Sequence, residues 1–91
     1  MAAAAVQKAA EAAYTLDQGC VEDMRLAFER RRDLIVELAK DIPGLEVNVP
    51  EGAFYLFPKC SSFFGKSDGV HTINNSTDFA MYLLEQAHVA T

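Results

Sequence analysis

Apolar residues recur on two different periods along this chain, and the change between them divides it. Val21, Met24, Phe28, Arg31, Ile35 and Leu38 stand three or four positions apart, with Ala27, Leu34 and Ala39 widening the stripe. That spacing predicts one amphipathic helix of about 20 residues, roughly 30 Å long. Glu22 and Asp23 near its start and Lys40 near its end suit the helix dipole. Ile42-Pro43-Gly44 stops it, because proline cannot continue the hydrogen-bond ladder. The length suits a helix running between two domains or a long core helix. Before it, residues 2–16 are rich in alanine, the best helix former, with Val6, Ala10, Ala13 and Tyr14 as an apolar side. Asp17-Gln18-Gly19 breaks that pattern. This first helix is expected to pack on something larger than the chain itself.

After Gly44 the period falls to two. Leu45, Val47 and Val49 alternate with Glu46 and Asn48, which predicts a half-buried strand. Pro50-Glu51-Gly52 turns the chain. Residues 53–57, Ala-Phe-Tyr-Leu-Phe, have no polar side and predict a central strand covered on both faces. Pro58 ends it. Residues 59–75 read as an irregular connection punctuated by Gly65, Ser67, Asp68 and Gly69. Asn75 or Ser76 can cap a third helix, with Asp78 in its first turn and Phe79, Tyr82, Leu83 and Ala87 at helical spacing. Val89 and Thr91 suit the start of a further strand, so the chain is expected to stop in mid-element. The fold class expected is α+β in two layers, helices packed on a small β-sheet, and truncated.

Composition narrows the function more than it defines it. The chain has 91 residues, room for one modest core, and its 51% apolar and 23% charged residues are ordinary for a globular protein. A net charge of -5 argues against nucleic acid as a partner. The basic run Arg30-Arg31-Arg32 lies between Glu29 and Asp33 and reads as a solvated helix face with local ion pairs. No stretch approaches the ~20 apolar residues of a membrane span, and the apolar start lacks the basic flank of a signal peptide. The sequons within Asn74-Asn75-Ser76-Thr77 are better explained by the helix cap.

Candidate chemistry is sparse. Cys20 and Cys60 lie far apart, outside any C-x-x-C pair, and read as reduced thiols. His71 and His88 fit no metal spacing, so no metal site is expected. Lys8, Lys40, Lys59 and Lys66 sit in helix-surface or loop contexts and read as solvated lysines.

A resemblance joins these elements. The Pro-x-Gly turn and apolar run of residues 50–57 resemble the small-domain strand of fold-type-I, class I aminotransferases dependent on pyridoxal phosphate, aspartate aminotransferase-like in type. Gln7-Lys8-Ala9-Ala10, the stretch from Phe28 to Asp33 and the stretch from Leu84 to Ala90 extend that likeness over nearly the whole chain. It implies that residues 1–18 correspond to the end of the large domain and residues 19–91 to part of the small domain. It implies pyridoxal phosphate in an intact parent, which moves an amino group between an amino acid such as aspartate and a 2-oxo acid. That parent is expected to be a cytoplasmic homodimer, with the remainder of its own chain as partner to this part.

In the family, the aldimine lysine, the aspartate at the pyridine nitrogen and the phosphate-binding residues precede these segments, and the arginine for the substrate α-carboxylate follows them. The resemblance therefore transfers no catalytic and no cofactor-binding residue, and the chain alone is expected to be inactive and without cofactor. What it transfers is a pocket wall, Gly52, Ala53 and Phe54. There glycine would let backbone approach a ligand, and Phe54 would exclude water or simply fill the core. The alternative is a free-standing α+β binding module. Another fold-type-I activity, such as a lyase or synthase, is also compatible with these residues.

Overall fold

The computed structural model describes residues 2–91. Helix α1 spans Ala4–Thr15 and helix α2 spans Gly19–Lys40. A single 3-10 turn follows at Ser61–Phe63, then helix α3 at Ser76–Tyr82, which widens into a π-turn at Leu83–Ala87. Backbone contacts fall into two units, one up to Arg32 and one covering Asp33–Thr91, with the boundary inside α2.

In the first unit the two predicted helices form where the alanine-rich and periodic segments predict them. The break between them is stabilised by Gln18. Its side-chain amide donates to the carbonyls of Ala13 (3.0 Å) and Leu16 (2.7 Å), groups that the end of α1 leaves without helical partners. Its own carbonyl accepts the amides of Val21 and Glu22. The basic run is a solvated face with local pairs, as expected. Arg25 bonds Glu22 at 2.7 Å and Glu29 at 3.1 Å, Arg32 approaches Glu29 at 3.8 Å, and the Arg31 guanidinium lies 5.3 Å over the Phe28 ring. Hydrogen bonding to Glu22 pushes the Arg25 guanidinium further up, and the same contact lowers the Glu22 carboxyl.

The apolar stripe of α2 is present but largely uncovered. Val21, Met24, Ile35 and Leu38 are all about half exposed, whereas Ala39, at the margin of the stripe, and Val36, beside it, are buried. Sequence periodicity located the helix correctly, and of its stripe only the Ala39 margin is buried.

In the second unit Val36, Ala39 and Ile73 are the buried apolar residues among those described. Past α2, Gly44 takes φ 88° and reverses the chain. Its carbonyl accepts the Ser62 hydroxyl, and a Cβ at this position would lie 2.8 Å from that oxygen and 3.4 Å from the Phe63 ring. Glycine is required there for both reasons.

The predicted sheet is not formed among the described residues. Leu45 and Val47 are half-buried with Glu46 and Asn48 exposed, the alternation expected of a half-buried strand. Pairing, however, stops at one antiparallel bridge, in which the Glu46 and Lys59 backbones exchange bonds of 3.2 and 2.8 Å. Residues 53–57, expected as a covered central strand, are open instead, with Phe54, Tyr55 and Phe57 76%, 80% and 90% exposed. The physical reason is that a strand is stable only within a ladder and under a covered face, and the regular ladder here is limited to the Glu46–Lys59 bridge. The strand start expected at Val89 is likewise absent. His88 adopts the left-handed conformation (φ 59°), and the Val89 amide folds back onto the Leu83 carbonyl at 3.1 Å as a helix cap.

Residues 59–75, expected to be irregular, are ordered by short-range bonds. An antiparallel bridge joins Ser67 to Thr72, and the Gly65 and Ile73 amides donate to Ile73 and Lys66 carbonyls at 2.6 and 3.0 Å. The Phe63 and Phe79 rings stack with centroids 5.0 Å apart and an 11° interplanar angle. Asn75 caps α3 as the sequence indicates. Its side-chain oxygen accepts the Asp78 amide at 2.8 Å, and the Asp78 carboxylate accepts the Asn74 amide at 3.0 Å.

Candidate functional site

The three residues taken as a pocket wall lie together on the turn after Pro50. Gly52 has open space around the position of a Cβ, so close approach of backbone to a neighbour is not what holds glycine there in this structure. The unusual backbone belongs to its neighbour: Ala53 has φ 61°, a left-handed conformation that costs an L-residue about 1 kcal/mol. Phe54 points to solvent and fills no core. Past the turn an open hollow of about 260 Å³ is lined by Glu46, Val47, Asn48, Phe57 and Lys59. The Lys59 ammonium lies 3.3 Å from the Glu46 carboxylate across the Glu46–Lys59 bridge. This region therefore offers an exposed aromatic edge and one ion pair.

A second constellation, missed in the sequence, sits on the hairpin of residues 66–73. The Asp68 carboxylate accepts the amides of Val70 (2.9 Å) and His71 (2.6 Å) through one oxygen, and lies 3.0 Å from His71 Nδ1 through the other. A carboxylate only accepts, so Nδ1 carries the proton. The His71 ring meets the Tyr82 ring edge-on, centroids 5.6 Å apart, linking the hairpin to α3. Hydrogen bonds from the His71 backbone and ring hold the Asp68 carboxyl well below the usual carboxylate range. The negative charge of Asp68 in turn pushes the Tyr82 phenol up. The signal that was available is the Ser-Asp-Gly turn, whose aspartate is placed to bond amides two and three residues ahead.

Neither place makes a cradle for a cofactor aldehyde. A lysine that forms a Schiff base is desolvated and surrounded. Here Lys8 pairs with Glu11 at 3.0 Å in solvent, Lys59 pairs with Glu46, Lys66 lies 5.3 Å over the Phe63 ring, and Lys40 is exposed at the end of α2. The described residues do not fit pyridoxal phosphate. Cys20 is exposed, Cys60 is half-buried, and both are free thiols. No described helix is long and apolar enough to cross a membrane.

Comparison with known proteins supplies what the site geometry does not. The family model for aminotransferase class I and II matches residues 1–91. A probable aspartate/prephenate aminotransferase of Rickettsia bellii is 46% identical over 85 residues, which is 92% of this chain and 21% of that relative. The aspartate aminotransferase of Rhizobium meliloti is 45% identical over the same shares. A crystal structure of the Rhizobium meliloti aspartate aminotransferase superposes with a TM-score of 0.86 at 44% identity, over 92% of this chain and 21% of that one. The chain thus spans about a fifth of the length of the relatives it matches. Over that fifth, sequence and backbone agree that the chain belongs to the class I and II aminotransferase family.

Proposed function

We propose that this chain is one segment of a pyridoxal-phosphate aminotransferase that moves an amino group between an amino acid, aspartate foremost, and a 2-oxo acid. The observation that carries this reading is the backbone match, TM-score 0.86 at 44% identity, to a segment of an aspartate aminotransferase. In that reading residues 1–18 close the large domain and residues 19–91 begin the small domain. Residues 45–49 and 53–57 join a sheet whose other strands come from the rest of the parent. Gly52, Ala53 and Phe54 form the wall of the substrate pocket, where Phe54 excludes water from the reacting centre. The parent works as a cytoplasmic homodimer.

The chain alone does not transaminate, because none of its lysines is placed to hold the cofactor. Mixing it with pyridoxal phosphate, reducing with borohydride and weighing the product tests this: no stoichiometric adduct is expected. One adduct confined to a single lysine would overturn the inactivity. Grafting the chain in place of the matching segment of the Rhizobium meliloti enzyme tests the parent activity. Aspartate transamination should survive the graft, and a folded, cofactor-loaded but inactive chimaera would overturn the assignment.

A further inference from the structure

Asp68–Gly69 is the one place in the sequence where an aspartate or asparagine precedes glycine. Such a pair can react with itself. The Gly69 amide nitrogen attacks Cγ of the Asp68 side chain, a nitrogen–carbon bond forms, the nitrogen gives up its proton and the carboxyl oxygen leaves as water. Water then adds back to the five-membered imide. Opening at the main-chain carbonyl of Asp68 leaves the backbone running through Cβ and Cγ, an isoaspartyl link with the same atoms as before. Glycine favours the attack because it has no Cβ to crowd it, and the space around Gly69 is open. Both reacting groups belong to adjacent residues, so none of this depends on the transaminase reading or on what the rest of a parent chain covers.

The folded hairpin of residues 66–73 opposes each requirement of that reaction. Ring closure needs a neutral carboxyl, since a carboxylate has no oxygen that leaves readily. One Asp68 oxygen accepts the amides of Val70 (2.9 Å) and His71 (2.6 Å), and the other lies 3.0 Å from His71 Nδ1. A carboxylate accepting two or three N–H bonds can hold roughly a hundredfold less neutral acid than a free aspartate at the same pH. The nucleophile is engaged too, because the Gly69 amide donates to the Ser67 hydroxyl at 3.1 Å. The backbone around the pair is fixed by the Ser67–Thr72 bridge and by the Asp68 amide, which donates to the His71 carbonyl at 3.2 Å. Ring closure must turn the carboxyl off its three partners and the amide off Ser67 together.

We propose that Asp68–Gly69 is the isoaspartate site of this chain, closed while residues 66–73 hold their hairpin and open whenever they lose it. The conversion is a one-way step for the turn, because the isoaspartyl carboxylate sits on Cα, out of register with the Val70 and His71 amides. The test incubates the whole chain near neutral pH, in buffer and in urea. Protein isoaspartyl methyltransferase with labelled S-adenosylmethionine counts the product. Asp-N proteinase, which cuts before aspartate and not before isoaspartate, locates it. Isoaspartate at position 68 should form at least about tenfold faster in urea than in buffer. In buffer, Ser67→Ala and His71→Phe should each raise the rate about threefold or more, the worth of one hydrogen bond, and leave the rate in urea unchanged. Asp68→Glu, which would need a six-membered ring, should remove the signal in both. Equal rates in buffer and urea would overturn the proposal, as would label in urea gathering mainly at another residue. So would Ser67→Ala and His71→Phe chains that both match the unaltered chain in buffer.

Discussion

Residues 61–87 and residues 50–58 both carry aromatic side chains, with opposite outcomes. In the first stretch Phe63 stacks on Phe79 at 5.0 Å, His71 meets Tyr82 edge-on, and caps at Asp68 and Asn75 bind the backbone amides that turns expose. In the second, Tyr55 and Phe57 stand in solvent. The difference lies in where partners are found. Helix caps, Asx turns and aromatic pairs on neighbouring turns recruit residues close in sequence. A strand has no satisfactory state without a neighbour, and the neighbour is seldom local. One region folds on what it carries, while the other is shaped for something beyond it.

The sharpest way to break this comparison is to truncate one apolar residue in each region. Ile73, 9% exposed, is anchored by amide bonding to Lys66 and by its carbonyl accepting from Gly65. Ile73→Ala should cost about 3 kcal/mol of stability, much of what a chain of this size possesses. Phe57→Ala removes a larger side chain that is 90% exposed and should change stability by less than about 0.5 kcal/mol. Urea unfolding of both variants checks this. Comparable losses would mean that the aromatic edge is covered in solution.

The same contrast explains how much was legible in the sequence. Both long helices and the Asn75 cap were readable because their signals lie within a few residues of the groups they serve. The break at Gln18 and the stop at Gly44 were readable for that reason too. The strands do not form among the described residues: alternation at residues 45–49 and the apolar run at 53–57 state which faces want cover, not whether this chain supplies it. The stripe of α2 likewise marks what wants cover: Ala39 at its margin is buried with Val36, while Ile35 and Leu38 are half exposed. At residues 50–53 the turn was legible and its detail was not. The left-handed residue is Ala53, a conformation that no feature of the sequence marks. The Asp68–His71 contact was hidden because each residue was weighed for metal or catalytic spacing, and a turn aspartate serves backbone amides first.

A smaller effect sharpens the self-contained side. Gly44 reverses the chain after α2 at φ 88°, with Ser62 and Phe63 closing over it. Gly44→Ala brings a Cβ to 2.8 Å from the Ser62 oxygen in a conformation that alanine rarely adopts. The expected loss is about 2 kcal/mol by urea unfolding. Gly52→Ala, with open space around the added methyl, should fall well below that. If the two glycines responded alike, the turn at 50–53 would be as tightly determined as the one at 42–45.

The smallest predicted effect is a pH dependence seated at Asp68. Its folded carboxyl titrates below its ordinary 3.8, chiefly because the His71 backbone amide and ring bond the charged form. The folded state therefore binds this proton less readily than the unfolded state. The contribution is fully present above the ordinary carboxylate value and is lost as pH falls from about 4 through the lower folded value. Asp68→Asn should flatten the acid limb of stability against pH in that window, because it removes near neutrality the contribution that the charged carboxylate makes there and removes little at low pH, where that contribution is already lost. Since the Asp68 charge also holds the Tyr82 phenol up, the variant should ionise that tyrosine at lower pH, followed by phenolate absorbance. An unchanged acid limb together with an unshifted phenol would mean that the hairpin and α3 are held by the Phe63–Phe79 stack alone.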